Sequence, residues 1–222
     1  MNLLRAENIE YIYRSKYQTV KALNGITFEF EKGKFYTIIG PSGSGKTTFL
    51  SLLAGLDIPT KGNLYFNDVS TKNLNCDEYR FNNVSIVYQN FNLIPELTVL
   101  ENTALPQTFE KKDKKKVLGE AKNALFSVGI TEEKYNVFPN MLSGGEQQRV
   151  AIARALTSKN SIILADEPTG NLDKNNSSII VNILKNLAHE KNCCVIVVTH
   201  DIDISKNADV ILKIEDGSLS PM

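Results

Sequence analysis

One short run constrains this chain more than any other. Gly40-Pro41-Ser42-Gly43-Ser44-Gly45-Lys46-Thr47 fits the pattern G-x-x-x-x-G-K-S/T, and its setting is as informative as its letters. Phe35-Tyr36-Thr37-Ile38-Ile39 precedes it, a run with almost no polar alternation, as expected for a strand buried on both faces. After it Phe49, Leu50, Leu53 and Ala54 recur at helical spacing until Gly55 stops them. In such a strand–loop–helix unit the glycines let the backbone curl. Its amide N–H groups then converge on phosphate at the positive end of the helix dipole. Lys46 would set its charge on the β- and γ-phosphates of a nucleotide, and the Thr47 hydroxyl, followed by Thr48, can ligate Mg2+. A turn that only caps a helix needs one or two glycines; this one has three, with a lysine and a hydroxyl in register.

Around this unit the chain alternates between strand and helix patterns. Thr27-Phe28-Glu29-Phe30 alternates, Glu31-Lys32-Gly33-Lys34 turns, and strands are expected over Tyr65-Phe66-Asn67-Asp68-Val69 and Val84-Ser85-Ile86-Val87-Tyr88. Ser161 to Ala165 and Cys193 to Thr199 read as buried strands, with Ile179, Ile180, Ile183, Leu184 and Leu187 striping a helix between them. Strand–helix–strand order implies a parallel sheet with crossover helices. From about residue 95 to residue 157 the period is helical, and Val117, Leu118, Ala121, Leu125 and Val128 form one apolar stripe. This places a helical lobe inside a discontinuous α/β domain. The run Lys111-Lys112-Asp113-Lys114-Lys115-Lys116 admits a basic patch or a solvated helix start. The amphipathic helix that follows favours the second.

Composition removes several function classes. Lys+Arg and Asp+Glu both number 25, a formal net charge of zero, which argues against a general nucleic-acid binder. At 42% apolar and 23% charged residues the chain is an ordinary folded globule. Three cysteines, two of them neighbours in an apolar run, point to a reducing compartment rather than a disulfide framework. No apolar stretch approaches the roughly 18 residues that cross a bilayer, and the start lacks the pattern of a secretory signal. A soluble intracellular protein is the expectation.

Two further segments carry chemistry. Ile162-Ile163-Leu164-Ala165-Asp166-Glu167 is an apolar strand ending in two carboxylates. On a parallel sheet such an end faces the nucleotide crevice. Asp166 would hold Mg2+ and Glu167 would point to the water attacking the γ-phosphate, although alone the pair also reads as an acidic turn. Leu142-Ser143-Gly144-Gly145-Glu146-Gln147-Gln148-Arg149 contains a capping box, Ser143 with Glu146, for a helix carrying Val150, Ala153 and Leu156. Capping does not explain Gly144-Gly145, which lower helix propensity but leave backbone amides open to an anion.

The P-loop, Leu142-Ser143-Gly144-Gly145-Glu146, the strand ending in Asp166-Glu167, Asn171-Leu172-Asp173 and Thr199-His200 resemble the nucleotide-binding subunit of ATP-binding-cassette (ABC) transporters, in order and spacing across essentially the whole chain. The resemblance implies an α/β fold: a P-loop NTPase with a RecA-like core and mainly parallel sheet, an antiparallel β subdomain and an inserted helical subdomain. Core and β subdomain would span 1–89 and 158–222, the helical subdomain 90–157. ATP and Mg2+ are the implied ligands. Gly40, Pro41, Ser42, Gly43, Ser44, Gly45, Lys46, Thr47 and Thr48 would hold the phosphates. Thr47, Gln89 and Asp166 would hold the metal, Glu167 would act on the lytic water, and His200 would contact the γ-phosphate. Tyr13 matches the aromatic that stacks on adenine, with Tyr11 and Tyr17 as competitors and an ordinary strand tyrosine as the plain alternative. Gln89 matches a residue that senses metal and the partner subunit. Asp173 matches one that crosses the dimer, and it is also a plausible N-cap. His189 receives no role.

The resemblance further implies a head-to-tail homodimer with two ATP molecules sandwiched between subunits. Each would lie between one P-loop and the signature of the other copy (Ser143, Gly144, Gly145 and Glu146), which should face away from the P-loop of its own chain. The stretches Ala165–Asp173, Tyr88–Pro95 and Leu97–Asn102 look like the macrolide-efflux and lipoprotein-release branch. Its ATPases sit on the inner face of the cell membrane and serve a separate permease with few membrane helices and a large extracytoplasmic domain. Phe91, Leu93, Ile94 and Leu97 either pack internally or form the groove that receives that permease. Transport powered by ATP is the leading expectation. The alternative is mechanotransmission, in which ATP cycling moves a membrane partner that regulates a cell-wall enzyme. A soluble ABC ATPase acting on nucleic acid is disfavoured by a single cassette without a heptad run.

Overall fold

The apolar strand ahead of the glycine loop lies inside a six-stranded sheet and is covered on both faces. The computed structural model describes residues 2–109 and 113–222, so Lys111 and Lys112 of the lysine run lie outside the described residues. In chain order the elements are β1 (Asn2–Arg14), β2 (Thr19–Glu31), β3 (Phe35–Ile39), α1 (Lys46–Leu53), β4 (Lys61–Phe66), β5 (Val69–Ser70), α2 (Cys76–Asn83) and β6 (Val84–Tyr88). Then come α3 (Val99–Thr108), α4 (Lys114–Ser127), α5 (Gly144–Thr157), β7 (Ile162–Asp166), α6 (Lys174–His189), β8 (Cys194–Thr199), α7 (Ile202–Ser205), β9 (Val210–Glu215) and β10 (Ser218–Pro221).

The six-stranded sheet has the order β10-β9-β3-β8-β7-β6, parallel throughout except for the β9–β10 hairpin. Its two faces divide the core. Tyr36, Ile38, Leu164, Ile196 and Val198 face a layer made by α1 and an antiparallel sheet of order β2-β1-β4-β5. Phe35, Ile163, Ala165, Val195 and Val197 face the opposite layer, where Val150, Ile152, Ile180 and Leu184 of α5 and α6 cover them. Each strand thus supplies apolar residues to both layers, which is why its sequence shows no alternation. Helices α3, α4 and α5 pack on one another, and α5 also lies against the sheet, where Ser85 Oγ donates to the Ala155 carbonyl at 3.1 Å.

Several expectations need correction. The segment from Tyr65 to Val69 is not one strand. Asn67 and Asp68 have φ of 47° and 63°, a two-residue hairpin turn that joins β4 to β5 with Phe66 opposite Val69. Ile179 does not belong to the buried stripe of α6: it is 44% exposed, whereas Ile180 and Leu184 are fully buried. Helix begins at Val99 rather than 95, and Thr98 caps it in a box with Glu101. Thr27 to Phe30 is only the end of a longer strand: β1 and β2 run for 13 residues each, paired through several register shifts. Helix α2 and the β9–β10 hairpin have no counterpart in the sequence reading. His189, given no role, bonds the Asp209 carboxylate at 2.8 Å, and that carboxylate accepts from the Phe35 N–H at 2.8 Å.

The corrected stripe can be tested by mutation. Leu184→Ala should cost about 2–5 kcal/mol through lost burial and the cavity it leaves, while Ile179→Ser should stay within about 0.5 kcal/mol of wild type. Urea unfolding of both variants checks the contrast, and equal losses would contradict the assignment of faces.

Candidate functional site

Strand register does the placing. Ile39 of β3 lies beside Thr199 of β8, Asp166 of β7 beside Val198, and Tyr88 of β6 beside Asp166. The residues that follow these ends, Gly40, Gln89, Glu167 and His200, therefore emerge along one edge of the sheet. A cleft of about 1010 Å³ opens there, lined by loop residues Ser42, Gly43 and Gly45 to Thr48 together with Tyr13, Gln89, Asp166, Glu167 and His200.

Two of the loop's glycines, Gly40 and Gly45, sit where a side chain has no room. Gly45 caps α1 with φ 104°, and a Cβ at Gly40 would collide with the Ile214 carbonyl. Lys46 is nearly buried, and its ammonium donates to the Gly40 and Pro41 carbonyls at 2.8 and 2.9 Å, across the loop it belongs to. Ser44 Oγ is buried with no hydrogen-bond partner, a polar atom that a bound oxyanion would satisfy. Thr47 Oγ1 lies 3.4 Å from Asp166 Oδ1. Burial pushes the Asp166 carboxyl above its usual range; the Thr47 contact opposes this and the neighbouring Glu167 charge adds to it. A hydroxyl and a half-buried carboxylate converging beside a phosphate-type loop form a hard-oxygen donor set that suits Mg2+, and such a cation would favour the ionised carboxylate against the effect of burial.

Glu167 is held from several sides. Its backbone sits in the left-handed region at φ 46°, fixed by its N–H to the Val198 carbonyl at 2.9 Å and by the Gly170 N–H to its own carbonyl at 3.1 Å. One carboxylate oxygen accepts from Thr199 Oγ1 at 3.0 Å, and the other meets His200 Nδ1 at 2.8 Å. Thr199 is fully buried and His200 largely exposed, so the pair is anchored at one end and open at the other. Gln89 pairs with Asn171 instead, its amide donating to Asn171 Oδ1 at 3.3 Å. Of the three tyrosines only Tyr13 lines the cleft, with its hydroxyl 3.2 Å from Thr48 Oγ1. Tyr11 packs against the core and burial pushes its phenol up to about 12, while Tyr17 is almost wholly exposed.

The signature segment stands apart. None of Ser143, Gly144, Gly145, Glu146 or Asp173 lines the cleft. The capping box forms as expected: Ser143 Oγ accepts from the Glu146 N–H at 3.4 Å, and the Glu146 carboxylate accepts from the Ser143 N–H at 3.0 Å. Asp173 caps α6 by accepting from the Asn176 N–H at 2.9 Å. The expectation for Gly145 changes. It is buried, and a Cβ there would strike the Asn176 side chain, so its glycine serves packing inside this chain. Gly144 is the more open of the two, with Phe91 and Leu172 at van der Waals distance. The Phe91 ring is thus half-buried against the signature rather than free.

A profile for the ABC transporter family matches residues 23–170. The chain belongs to the ABC transporter family. It is 43% identical, over 99% of its length and 96% of the relative's, to an uncharacterized ABC transporter ATP-binding protein, YclH, of Bacillus subtilis. It is 40% identical, over 98% of its length and 96% of the relative's, to the lipoprotein-releasing system ATP-binding protein LolD of Buchnera aphidicola. The cassette MJ0796, solved as a dimer and in a post-hydrolysis state with ADP and Pi, superposes with a TM-score of 0.90 at 38% identity, covering 98% of this chain and 97% of that one. The ABC cassette fold, with its antiparallel sheet and helical elements, and an ATPase activity of ABC type follow from this membership.

Three features of this cassette escape a reading of motifs. The β9–β10 hairpin braces the P-loop from below, with Ile214 against Gly40 and the Gly217 N–H donating to the Ser44 carbonyl at 3.2 Å. Thr199 orients Glu167 from a buried position. Asn176 joins the signature helix to the Asp173 loop, because Arg149 donates to its Oδ1 at 3.3 Å and its amide donates to Asp173 at 2.6 Å. The Asp216-Gly217 turn was readable as a hairpin signal; the other two had no local signal.

The capping box has a pH signature. Glu146 is held down to about 2 from an ordinary 4.5, first by Lys134 and then by the Ser143 bonds, against burial. A depressed folded-state pKa contributes stability that is fully present above about pH 4.5 and is lost as pH falls towards about 2. Urea unfolding of wild type and Glu146→Gln should therefore differ most at neutral pH and converge as pH falls through that window. A difference that stays flat with pH would contradict it.

Proposed function

We propose that this cassette is the ATP-hydrolysing subunit of a membrane complex, closing head to tail on a second copy around two ATP molecules and driving a separate permease. The observation that carries the reading is the division of the site. The P-loop, Asp166, Glu167 and His200 share one cleft, while the signature that would complete a nucleotide site lies outside it. One chain holds two halves that cannot meet each other, and a second copy turned about a two-fold axis brings each half to its complement. The MJ0796 cassette is a dimer in its solved form.

Within that arrangement Gly40 to Thr48 cradle the phosphates, with Lys46 released from its loop carbonyls to the β- and γ-phosphates. Tyr13 stacks on the base at the open end. Thr47, Asp166 and Gln89 hold Mg2+, which when bound neutralises phosphate charge. Glu167 accepts the proton of the attacking water or orients it; the buried Thr199 hydroxyl and His200 hold the carboxylate, and His200 reaches the γ-phosphate from its exposed side. Ser143 and the α5 amides, with Gly144 leaving room, approach the γ-phosphate of the other copy, and Asp173 lies along the same interface. Residues 90–157 form the lobe that carries the signature, on a core of 1–89 and 158–222. Among the described residues no helix is long and apolar enough to cross a membrane, so attachment to the inner membrane face would come through the permease. Ile94 is more exposed than its apolar neighbours and marks the docking face. Likeness to LolD supports release or export as the direction of work.

Glu167→Gln tests the chemistry. Hydrolysis should fall by about 10²–10⁴ while ATP affinity stays within a few-fold, because the amide keeps the shape and loses the base, and an ATP-bound dimer should accumulate in light scattering. Lys46→Ala should instead weaken ATP binding itself. For the shared site, hydrolysis by wild type should rise faster than linearly with protein concentration while dimers are scarce. A monomer with ATP and Mg2+ bound and a concentration-independent specific activity would overturn the reading.

A further inference from the structure

The signature of this chain carries a charge that its proposed task should not tolerate. Glu146 stands at the third residue of α5, one turn from the end that would receive a γ-phosphate, and its side chain is only 17% exposed. A carboxylate there cancels much of the positive potential that a helix N-terminus offers to an anion, and bringing a triphosphate up to it sets like charges together in a partly dehydrated junction.

The structure shows what offsets that charge. One Glu146 oxygen is used by the capping box, accepting from both the N–H and the Oγ of Ser143 at 3.0 Å. The other oxygen is bound by Lys134 Nζ. Lys134 does not come from α5. It ends a short 3-10 turn at Glu132–Lys134, before the helix. The next residue, Tyr135, is buried in the core, its hydroxyl donates to the Lys122 carbonyl at 3.2 Å, and its carbonyl accepts from the Leu100 N–H at 2.9 Å. The lysine is thus delivered by a fixed backbone. Its contact is the largest cause of the low Glu146 pKa.

We propose that Lys134 is a positioning residue for the shared nucleotide site: it neutralises Glu146 and holds that carboxylate back on the Ser143 cap, so that the free α5 amides meet the γ-phosphate of the opposing copy without net repulsion. The inference rests on the shared-site reading and adds to it a requirement about charge. A signature with glutamate in this place needs a cation behind it; a neutral side chain of the same shape would not.

A double-mutant cycle decides this. ATP-driven dimer formation is followed by light scattering in a Glu167→Gln background, and steady-state hydrolysis and binding of ATP at low protein concentration are followed with Glu167 intact. Lys134→Ala should raise the protein concentration needed for dimerisation by about tenfold or more and lower kcat/KM to match, while ATP affinity of the dilute monomer stays within about twofold, since the P-loop of the same chain is untouched. Lys134→Arg should behave as wild type. Glu146→Gln placed on Lys134→Ala should restore dimerisation, so that Lys134→Ala costs less than about twofold when residue 146 is neutral. A merely structural lysine would show equal losses in both backgrounds, and that result overturns the proposal, as does Lys134→Ala dimerising like wild type. If Lys134→Ala fails to fold, Lys134→Met keeps the aliphatic stem and is put through the same cycle with the same criteria. A wild-type cassette that stays monomeric with ATP overturns the shared-site reading and this inference with it, whereas a dimerising wild type without rescue by Glu146→Gln overturns this inference alone.

Discussion

Everything at the nucleotide edge depends on β3 being buried from both sides. Its backbone is paired along one side with β8 and along the other with β9, and its side chains enter two separate apolar layers. A strand held on all four sides has no freedom to slide. The loop that follows therefore begins at a fixed point, and the Gly40 backbone lies against the Ile214 carbonyl with no room for a side chain. Cradling phosphate with backbone amides requires each N–H to be placed to a fraction of an ångström, and here the placing comes from hydrophobic burial several residues upstream. The same parallel register sets Glu167 and His200 beside that loop, so donors and carboxylate are positioned by one sheet rather than by separate devices.

Helix α5 carries the opposite kind of demand. Val150, Ile152 and Ala153 are fully buried, and Ser85 of β6 bonds its C-terminal turn, while its N-terminus projects Ser143 into solvent. Its link to the Asp173 loop through Asn176 and Arg149 ties the tip to the segment that leaves Glu167. Each helix keeps its own cap, and Asn176 links the two, so the signature is oriented by contacts within the chain that carries it.

What the sequence made legible follows from how local each cause is. The P-loop, the capping box and the strand ending in Asp166-Glu167 are contiguous runs whose chemistry and geometry lie within a few residues, and all three form as read. The Asn67-Asp68 turn was legible in principle, since such pairs tolerate positive φ, but it was hidden by strand formers on both sides. The long strands β1 and β2 are masked by polar residues and register shifts, with Asn8 at φ 47° interrupting the alternation. Gly145 has a reason to be glycine that its motif does not display. A glycine pair looks like an opening for a ligand, yet the space at Gly145 is filled by Asn176, brought there only by the packing of α6 on α5. Ile179 fits the helical stripe by spacing but falls at its margin, because the stripe is wider than the surface that α5 and the sheet can cover.

The placement of charge at the signature bears on the proposal that the nucleotide site is divided between chains. A catalytic cleft inside one protein can tune its own electrostatics against a substrate that is always presented in the same way. A half-site must instead remain stable alone, with its carboxylate satisfied and its helix capped, and still be ready for an anion when a second copy arrives. The Ser143–Glu146 box meets the first requirement by bonding the orphan N–H groups of the helix start. The cost is a partly buried negative charge, and Lys134 offsets it through the carboxylate oxygen that the cap does not use. Because the compensating cation sits on a segment anchored by Tyr135 in the core, the signature remains electrically balanced before any nucleotide is near, and association with a second copy need not begin by reorganising it.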